Sequence, residues 1–96
     1  MRIAVIGAGS TYTPELVAGL ARERDRLGLD RLSLHDIDES RRDVVGAMAR
    51  RMLDHAGYEG VLDITGHLDS AIDGADFVLV QIRVGGEISP PGPQRP

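Results

Sequence analysis

The chain has 96 residues, 42% of them apolar and 27% charged, which is the balance of one ordinary soluble globular domain. A net charge of −4 disfavours nucleic acid and anionic membrane surfaces as partners, because both attract clustered cations. The absence of cysteine excludes disulfides, thiolate catalysis and cysteine-ligated zinc within these residues. The short apolar run at the start fits neither a signal peptide nor a membrane span, so we expect a cytoplasmic protein.

The first elements predicted from the pattern are a buried strand, a helix and a second strand. Residues 2–6 form a continuous apolar run that Gly7 ends, as in a strand buried on both faces of a parallel sheet. Helical spacing of apolar residues follows from Pro14 to about Arg24, with Thr13 placed to cap the helix. Residues 32–34 are predicted to form the second strand.

A long second helix follows, for which Asp38 can serve as the N-cap and which runs to about Ala56. Gly57 suits the left-handed conformation that ends many helices. Apolar residues at helical spacing predict its buried stripe. They are Val44, Val45, Met48, Ala49, Met52 and Leu53.

The last predicted elements are a third strand over 61–65, a short helical turn over 69–73, and a fourth strand over 77–82 that is buried on both faces. This order predicts an α/β fold, a Rossmann-like parallel sheet with flanking helices and right-handed crossovers, the first half of a doubly wound fold. We assign residues 1–86 to this domain. Residues 87–96 hold four of the five prolines and are predicted to be a disordered tail.

The segment between the first strand and the first helix has the pattern of a phosphate-binding glycine loop. Gly7 and Gly9 permit a tight turn and let backbone N–H groups approach phosphate oxygens at the positive end of a helix. Ser10 and Thr11 either contact phosphate or cap the helix. Tyr12 stands where the usual fingerprint has its third glycine. The context predicts a dinucleotide site, and the alternative is a plain turn.

Asp36 lies at the end of the second strand, where a carboxylate can accept hydrogen bonds from ribose hydroxyls and repel a 2′-phosphate. It therefore favours NAD over NADP. Asp38 competes for this role, although we favour it as a helix cap. Arg41 and Arg42 follow closely and could still tolerate a phosphate.

Polar residues and glycines also follow the fourth strand, at the sheet edge where ligands bind in open α/β folds. Arg83 either reaches a phosphate or carboxylate there or stays solvated on the loop, and Gln81, Gly85 and Gly86 lie beside it. The three histidines lie on separate elements without metal-ligand spacing. We expect them to be surface or partly buried side chains, with no metal site.

Four segments in the same order resemble glycoside hydrolase family 4. They are the run Ile6-Gly-Ala-Gly-Ser-Thr-Tyr-Thr-Pro-Glu-Leu16, the run His35-Asp-Ile-Asp38, the segment Gly74-Ala-Asp-Phe77 and the segment Gln81-Ile-Arg-Val-Gly-Gly86. The form Thr13-Pro-Glu-Leu16 is most similar to the 6-phospho-β-glucosidases of the family, and less similar to its α-galactosidases and glucuronidases.

The resemblance implies a glycosidase of phosphorylated β-glucosides that uses NAD and a divalent metal, commonly manganese, instead of paired carboxylates. A hydride passes from sugar C3 to the nicotinamide, the C2 proton becomes acidic, a base removes it, and the aglycone is eliminated. Water then adds to the sugar and the hydride returns. The residues that the resemblance assigns to the dinucleotide are Gly7, Gly9, Ser10 and Thr11, with Asp36 on its ribose and Arg83 near the sugar phosphate, which Ser10 could share.

The family continues past Gly86 into a region that supplies the metal ligands, typically a cysteine and a histidine, and a catalytic base, typically a tyrosine. The end of this sequence does not resemble that region, so we expect a truncated, frameshifted or excised domain without activity of its own. An uncovered strand edge would favour self-association into a homo-oligomer. The alternatives are part of a lactate- or malate-type dehydrogenase, which the segment 81–86 argues against, and a standalone nucleotide-binding module.

Overall fold

A computed structural model of the chain describes residues 1–9 and 12–81. Its elements in chain order are β1 (Arg2–Ile6), α1 (Thr13–Arg22), α2 (Arg24–Leu27), β2 (Arg31–His35), α3 (Glu39–Ala56), β3 (Val61–Thr65), α4 (Leu68–Ile72) and β4 (Phe77–Val80). None of the helices in the described part of the chain has the length and apolar character needed to cross a membrane. The predicted tail, residues 87–96, lies outside the described residues.

The four strands form one parallel sheet in the order β3-β2-β1-β4. β1 is the apolar run predicted from the sequence, and it lies inside the sheet between β2 and β4. The strand order reverses after β3, because the chain returns across the sheet to place β4 on the other side of β1. This confirms the prediction of the first half of a doubly wound α/β fold.

The main core lies on the sheet face that α1 and α3 cover. It is formed by alternate residues of the strands together with the inner sides of the two helices. Its most buried large side chains are Val5, Val17, Leu32, Leu34 and Leu53. The shorter α4 contacts β1, β2 and β3 on the opposite face, where right-handed crossovers place the connection from β3 to β4.

The ends of α3 agree with the sequence prediction. The Asp38 side chain accepts a hydrogen bond from the backbone N–H of Arg41 at 3.1 Å, as an N-cap does. Gly57 ends the helix with φ of 82°, the left-handed conformation that favours glycine. The helix therefore begins and ends where capping chemistry predicts.

The predicted buried stripe of α3 was too wide. Val45, Ala49 and Leu53 are buried against the sheet, and their spacing of four residues follows one face of the helix. Val44 is 72% exposed, so its predicted burial was wrong. A helix that packs against one sheet buries a narrow stripe, and Val44 lies outside it.

The start of α1 also differs from the prediction. Tyr12 occupies the N-cap position without a side-chain capping bond, and Thr13 is the first helical residue. Thr13 is fully buried, and its hydroxyl donates a hydrogen bond to Oε1 of Gln81 at 2.8 Å. The predicted cap was therefore wrong, because this hydroxyl bonds to the residue that follows β4 instead of to its own helix.

β4 is less buried than the sequence predicted. Its described residues, Phe77–Val80, are 37–63% exposed, whereas the prediction was a strand buried on both faces. β4 pairs only with β1 among the described strands, so its other edge has no neighbour there. Ile82, the predicted end of this strand, lies outside the described residues.

Candidate functional site

The glycine loop is bound to the end of β2 through three backbone N–H groups. The N–H groups of Gly7 and Ala8 both donate to the carbonyl oxygen of His35, at 2.9 and 2.7 Å. The N–H of Gly9 donates to Oδ2 of Asp36 at 2.8 Å. The loop is thus held at the carboxyl edge of the sheet, where open α/β folds bind their ligands.

The two glycines of this loop are needed for different reasons. Gly7 has φ of +81°, and a Cβ atom there would collide with the carbonyl oxygen of Gln81. Gly9 has no positive φ, but a Cβ atom there would lie 2.6 Å from Oδ2 of Asp36 and 2.8 Å from Cβ of Arg41. Glycine at position 9 therefore lets the Asp36 carboxylate approach the loop.

Asp36 is buried, with 8% of its surface exposed, and both of its carboxylate oxygens accept backbone N–H groups. Oδ2 bonds to Gly9, and Oδ1 accepts from Asp38 at 2.9 Å. Nη1 of Arg42 donates to the carbonyl oxygen of Asp36 at 2.9 Å. These bonds hold the residue predicted to contact ribose and make it part of the loop's own structure.

The backbone N–H groups of Gly7, Ala8 and Gly9 all donate hydrogen bonds to acceptors within the protein. These residues therefore give the site its shape rather than N–H donors for a ligand. The N-terminus of α1 follows at Thr13, and its dipole favours an anion. Ser10 and Thr11, the predicted phosphate contacts, lie outside the described residues.

Gln81 follows β4 and lies beside the loop. Its backbone N–H donates to the carbonyl oxygen of Ile6 at 2.8 Å, and its side chain accepts from Thr13. This pair joins the end of β4 to the start of α1, and no periodicity or spacing in the sequence indicated it. Arg83, Gly85 and Gly86, predicted to follow at the same edge, lie outside the described residues.

Residues 1–9 and 12–81 contain no group of three His, Asp or Glu side chains that could hold a metal ion. His35 is buried, rather than at the surface or partly buried as predicted, and its Nδ1 atom has no hydrogen-bond partner among the described residues. Arg41, which was expected to tolerate a phosphate, has its Nε atom 3.6 Å from Oδ2 of Asp38.

An open cavity of about 350 Å³ lies beside the glycine loop, between α1 and α3. Gly9 and Arg41 line it together with Pro14, Val44 and Met48, which give it apolar surface. The exposed side chain of Val44 on α3 therefore belongs to an apolar surface that extends from the glycine loop.

A parallel sheet with a glycine loop at its carboxyl edge, bound to an acidic residue after β2, places this chain in the Rossmann-like α/β class. The model of the family 4 glycosyl hydrolases matches residues 2–91. The chain therefore belongs to family 4 of the glycosyl hydrolases. The match decides between this family and the alternative of a lactate- or malate-type dehydrogenase.

Curated relatives are similar along most of the chain. It is 41% identical over 87 residues to a probable 6-phospho-β-glucosidase of Bacillus subtilis, covering 88% of this chain and 20% of the relative. It is 37% identical over 86 residues to the 6-phospho-β-glucosidase BglT of Thermotoga maritima, covering 90% of this chain and 20% of the relative. The chain thus spans about a fifth of the length of these relatives.

Solved structures share the fold. The 6-phospho-β-glucosidase of Thermotoga maritima with manganese, NAD⁺ and glucose-6-phosphate has a TM-score of 0.79 at 37% identity, covering 90% of this chain and 20% of that one. A 6-phospho-α-glucosidase from gut microorganisms with NAD and glucose-6-phosphate has a TM-score of 0.82 at 36% identity, with the same coverage. Similarity of the fold therefore does not separate the α- from the β-glucosidases.

Proposed function

We propose that this chain forms the NAD-binding part of a 6-phospho-β-glucosidase. The observation that carries the proposal is the glycine loop bound to the end of β2, with the Asp36 carboxylate at its edge. The N–H bonds of Gly7, Ala8 and Gly9 fix this part of the loop before any ligand arrives, so these residues need little ordering when a dinucleotide binds. The solved relatives with NAD support the choice of cofactor.

The residues of the loop and of β2 have separate tasks in this proposal. Gly7 and Gly9 keep the backbone close to the sheet, so that the pyrophosphate can lie over the loop at the N-terminus of α1. Asp36 faces the ribose and disfavours the extra phosphate of NADP. NAD bound there would supply a hydride acceptor and donor for the sugar. Ser10, Thr11 and Arg83 are proposed to contact phosphate groups.

The β-glucoside is proposed as the substrate class because of sequence rather than fold. The relatives named 6-phospho-β-glucosidases are 41%, 37% and 36% identical to this chain. A phospho-α-glucosidase of Clostridium acetobutylicum is 33% identical. The glucose-6-phosphate in the solved relatives supports a phosphorylated glucoside or disaccharide as the substrate of the complete enzyme.

Manganese is proposed only for the complete enzyme. The described residues do not fit a metal ion, because they supply no cluster of ligands. The manganese of the solved relatives supports metal ligands that lie outside the described residues. We assign no catalytic residue and no metal-dependent step to the residues described.

The proposal is tested by titrating the purified chain with NAD and with NADP in a calorimeter. We expect NAD to bind more tightly than NADP. Asp36→Ala should weaken NAD binding by tenfold or more, because hydrogen bonds to a charged group contribute about 1.5–3 kcal/mol. Asp54→Ala is the matched control, since it removes an exposed aspartate on α3 away from the loop, and it should bind NAD as the unchanged chain does.

Two results would contradict this proposal. Absence of NAD binding by a chain whose circular dichroism shows the folded α/β domain would remove the cofactor assignment. Equal loss of binding in the Asp36 and Asp54 variants would show that the effect does not come from the loop. Adding glucose-6-phosphate tests separately whether Arg83 contributes to a sugar-phosphate site.

We also propose a homo-oligomeric state and a cytoplasmic location. The exposed apolar side chains of Pro14 on α1 and Val44 on α3 support a contact between copies. The cofactor supports the location, since nicotinamide dinucleotides are kept inside cells. Sedimentation equilibrium tests the first, and fractionation of the source cells tests the second.

A further inference from the structure

Arg42 joins three elements at the carboxyl edge of the sheet. It lies near the start of α3, and its Nη1 atom donates a hydrogen bond to the carbonyl oxygen of Asp36 at 2.9 Å. His35 and Thr65 are the last paired residues of β2 and β3. The next two positions across the sheet are Asp36 and Gly66. The guanidinium therefore lies where these two strands separate, and it supplies a donor to a carbonyl oxygen beyond the end of the ladder.

Gly66 provides the space that this guanidinium occupies. A Cβ atom at position 66 would lie 2.5 Å from Nη1 and 3.0 Å from Cζ of Arg42. Gly66 does not have a positive φ, so its backbone conformation is open to other residues. The space alone therefore requires glycine at this position, and the missing side chain admits Arg42 to the end of β2.

The guanidinium binds the main chain of Asp36 and leaves its carboxylate accessible. Each carboxylate oxygen of Asp36 accepts one backbone N–H group and has a second lone pair. An arginine bound to the carboxylate in the common fork geometry would occupy those lone pairs. Among residues 1–9 and 12–81, no Asp or Glu side chain forms an ion pair with Arg42. Arg42 therefore holds Asp36 without competing for the acceptors that ribose hydroxyls would use.

The bond from Arg42 also fixes the segment that joins β2 to α3. The carbonyl oxygen of Asp36 belongs to the planar peptide that leads to Ile37, so holding it sets the direction of the chain beyond Asp36. Asp38 follows, donates its N–H to Oδ1 of Asp36, and caps α3. Release of the guanidinium would therefore loosen the segment that orients the carboxylate.

We propose that Arg42 is a positioning residue of the dinucleotide site, which holds Asp36 so that the free lone pairs of its carboxylate face the ribose hydroxyls. Gly66 is part of the same arrangement, because it gives the guanidinium its place. Arg42 itself does not contact the dinucleotide. The role of the ribose rests on the proposed NAD site. It differs from the phosphate tolerance expected from the sequence, since the guanidinium is directed at the main chain.

The first test is Arg42→Met, which keeps much of the length of the side chain and removes its donors. NAD affinity in calorimetry should fall about threefold to tenfold, the cost of ordering one side chain on binding. Arg42→Lys should bind more tightly than Arg42→Met, because an ammonium can donate to the same carbonyl. In the Asp36→Ala background, Arg42→Met should cause no further loss, since the carboxylate that it positions is gone. Arg51→Met, the matched control, removes an exposed arginine further along α3 and should bind as the unchanged chain does.

The second test leaves Arg42 unchanged and removes its space. The three nearest atoms to a Cβ atom at Gly66 all belong to the end of the flexible Arg42 side chain, so Gly66→Ala should displace the guanidinium while the domain stays folded. NAD affinity should fall as in Arg42→Met, and the double variant should bind no more weakly than either single one. Gly19→Ala is the matched control, because its Cβ atom would lie 3.7 Å from Nη2 of Arg22, an ordinary contact. Circular dichroism checks the fold of each variant.

Hydrogen exchange tests the positioning of Asp36 without any ligand. The amide N–H groups of Gly9 and Asp38 should exchange about threefold faster or more in Arg42→Met and Gly66→Ala, because the carboxylate that accepts them is held less firmly. This result in a chain that binds no NAD would refute the proposed function, while the positioning of Asp36 by Arg42 would stand. The two failures are therefore distinguishable.

Three outcomes would overturn the role of Arg42. One is exchange at Gly9 and Asp38 that neither substitution changes. Another is an equal loss of NAD affinity on Arg42→Met with and without the Asp36 carboxylate, which would give Arg42 a direct contact with the ligand. The third is a larger loss of affinity for NADP than for NAD, as expected if the guanidinium binds the 2′-phosphate.

Discussion

The carboxylate of Asp36 accepts one N–H group from the glycine loop and one from the start of α3. Its place at the end of a strand was predictable, because acidic residues there often face ribose. Its contact with Gly9 was not, since it depends on how closely the loop approaches β2. The sequence indicates this contact only indirectly, through Gly9, whose missing Cβ atom makes room for Oδ2 of Asp36.

A comparison of Gly7 with Gly28 separates the effect of packing at the glycine loop from the effect of backbone strain on stability. Both have positive φ, but a Cβ atom at Gly7 would meet the Gln81 carbonyl, whereas one at Gly28 would meet nothing within 4 Å. We expect Gly28→Ala to lower the free energy of unfolding by about 1–2 kcal/mol. Gly7→Ala should cost about 1–3 kcal/mol more, because the neighbouring strand must move.

Urea unfolding followed by circular dichroism measures both changes. Equal losses in the two variants would mean that the Gln81 carbonyl yields easily, and that strain alone requires glycine at position 7.

The raised pKa of Tyr58 indicates how the free energy of unfolding changes with pH in the alkaline range. Partial burial, and secondarily the negative charge of Asp30, raise the pKa of the Tyr58 phenol above its ordinary value of 10.0. Its hydroxyl donates a hydrogen bond to the carbonyl oxygen of Val61 at 2.9 Å. Above pH 10 the unfolded chain loses this proton while the folded chain keeps it, so the free energy of unfolding should fall as the pH rises towards the raised pKa.

The test is urea unfolding at several pH values from 8 to 11. All eleven basic side chains are arginines, so no lysine titrates in this range. Tyr58→Phe should flatten the decline above pH 10, at the cost of one hydrogen bond at lower pH. A decline of the same steepness in the variant would assign the effect to another group.

At the scale of elements, capping chemistry predicted α3 better than periodicity did. Asp38 and Gly57 set the ends of α3 through interactions with residues near them in the chain, which can be predicted from the sequence. The exposure of Val44 depends on how α3 is rotated against the sheet, which is a property of tertiary packing. The same reason explains Thr13, whose hydroxyl was expected to cap α1 but bonds to Gln81 across the fold.

The rotation of α3 is tested by two truncations nine residues apart. Leu53 is 1% exposed in the core, so Leu53→Ala should lower the free energy of unfolding by about 2–5 kcal/mol. Val44→Ala should change it by less than about 0.5 kcal/mol, because Val44 is exposed. Denaturant midpoints of the two variants decide the matter. A large loss at Val44 would mean that the helix turns this residue towards the sheet in solution.

At the scale of the whole molecule, the α/β class, the parallel sheet and the family followed from the sequence, because β1, the glycine loop and the later segments of the resemblance are local patterns. The exposure of β4 did not. An apolar run indicates that a strand is suited to burial, but whether it is buried depends on elements elsewhere in the fold. β4 has one neighbouring strand among those described.

The exposed apolar surface predicts binding of the dye ANS by the folded chain. Phe77→Ser combined with Val80→Ser should lower the fluorescence of bound dye, because both side chains are more than half exposed. The melting temperature should change little, since the pair contributes little to the core. Val44→Ser is the control for apolar surface elsewhere. Undiminished dye binding in the double variant would place the accessible apolar surface away from β4.

The position of β1 in the sheet has a consequence for folding during synthesis. β1 has a neighbouring strand on each side and is synthesised before both of them, since β2 and β4 follow some 30 and 75 residues later. Pairing with β2 closes a short stretch of chain, whereas pairing with β4 joins the two most distant parts of the described sheet. The nascent chain therefore carries a half-paired apolar strand from the synthesis of β2 until that of β4, and chaperone binding to β1 should end only when β4 emerges.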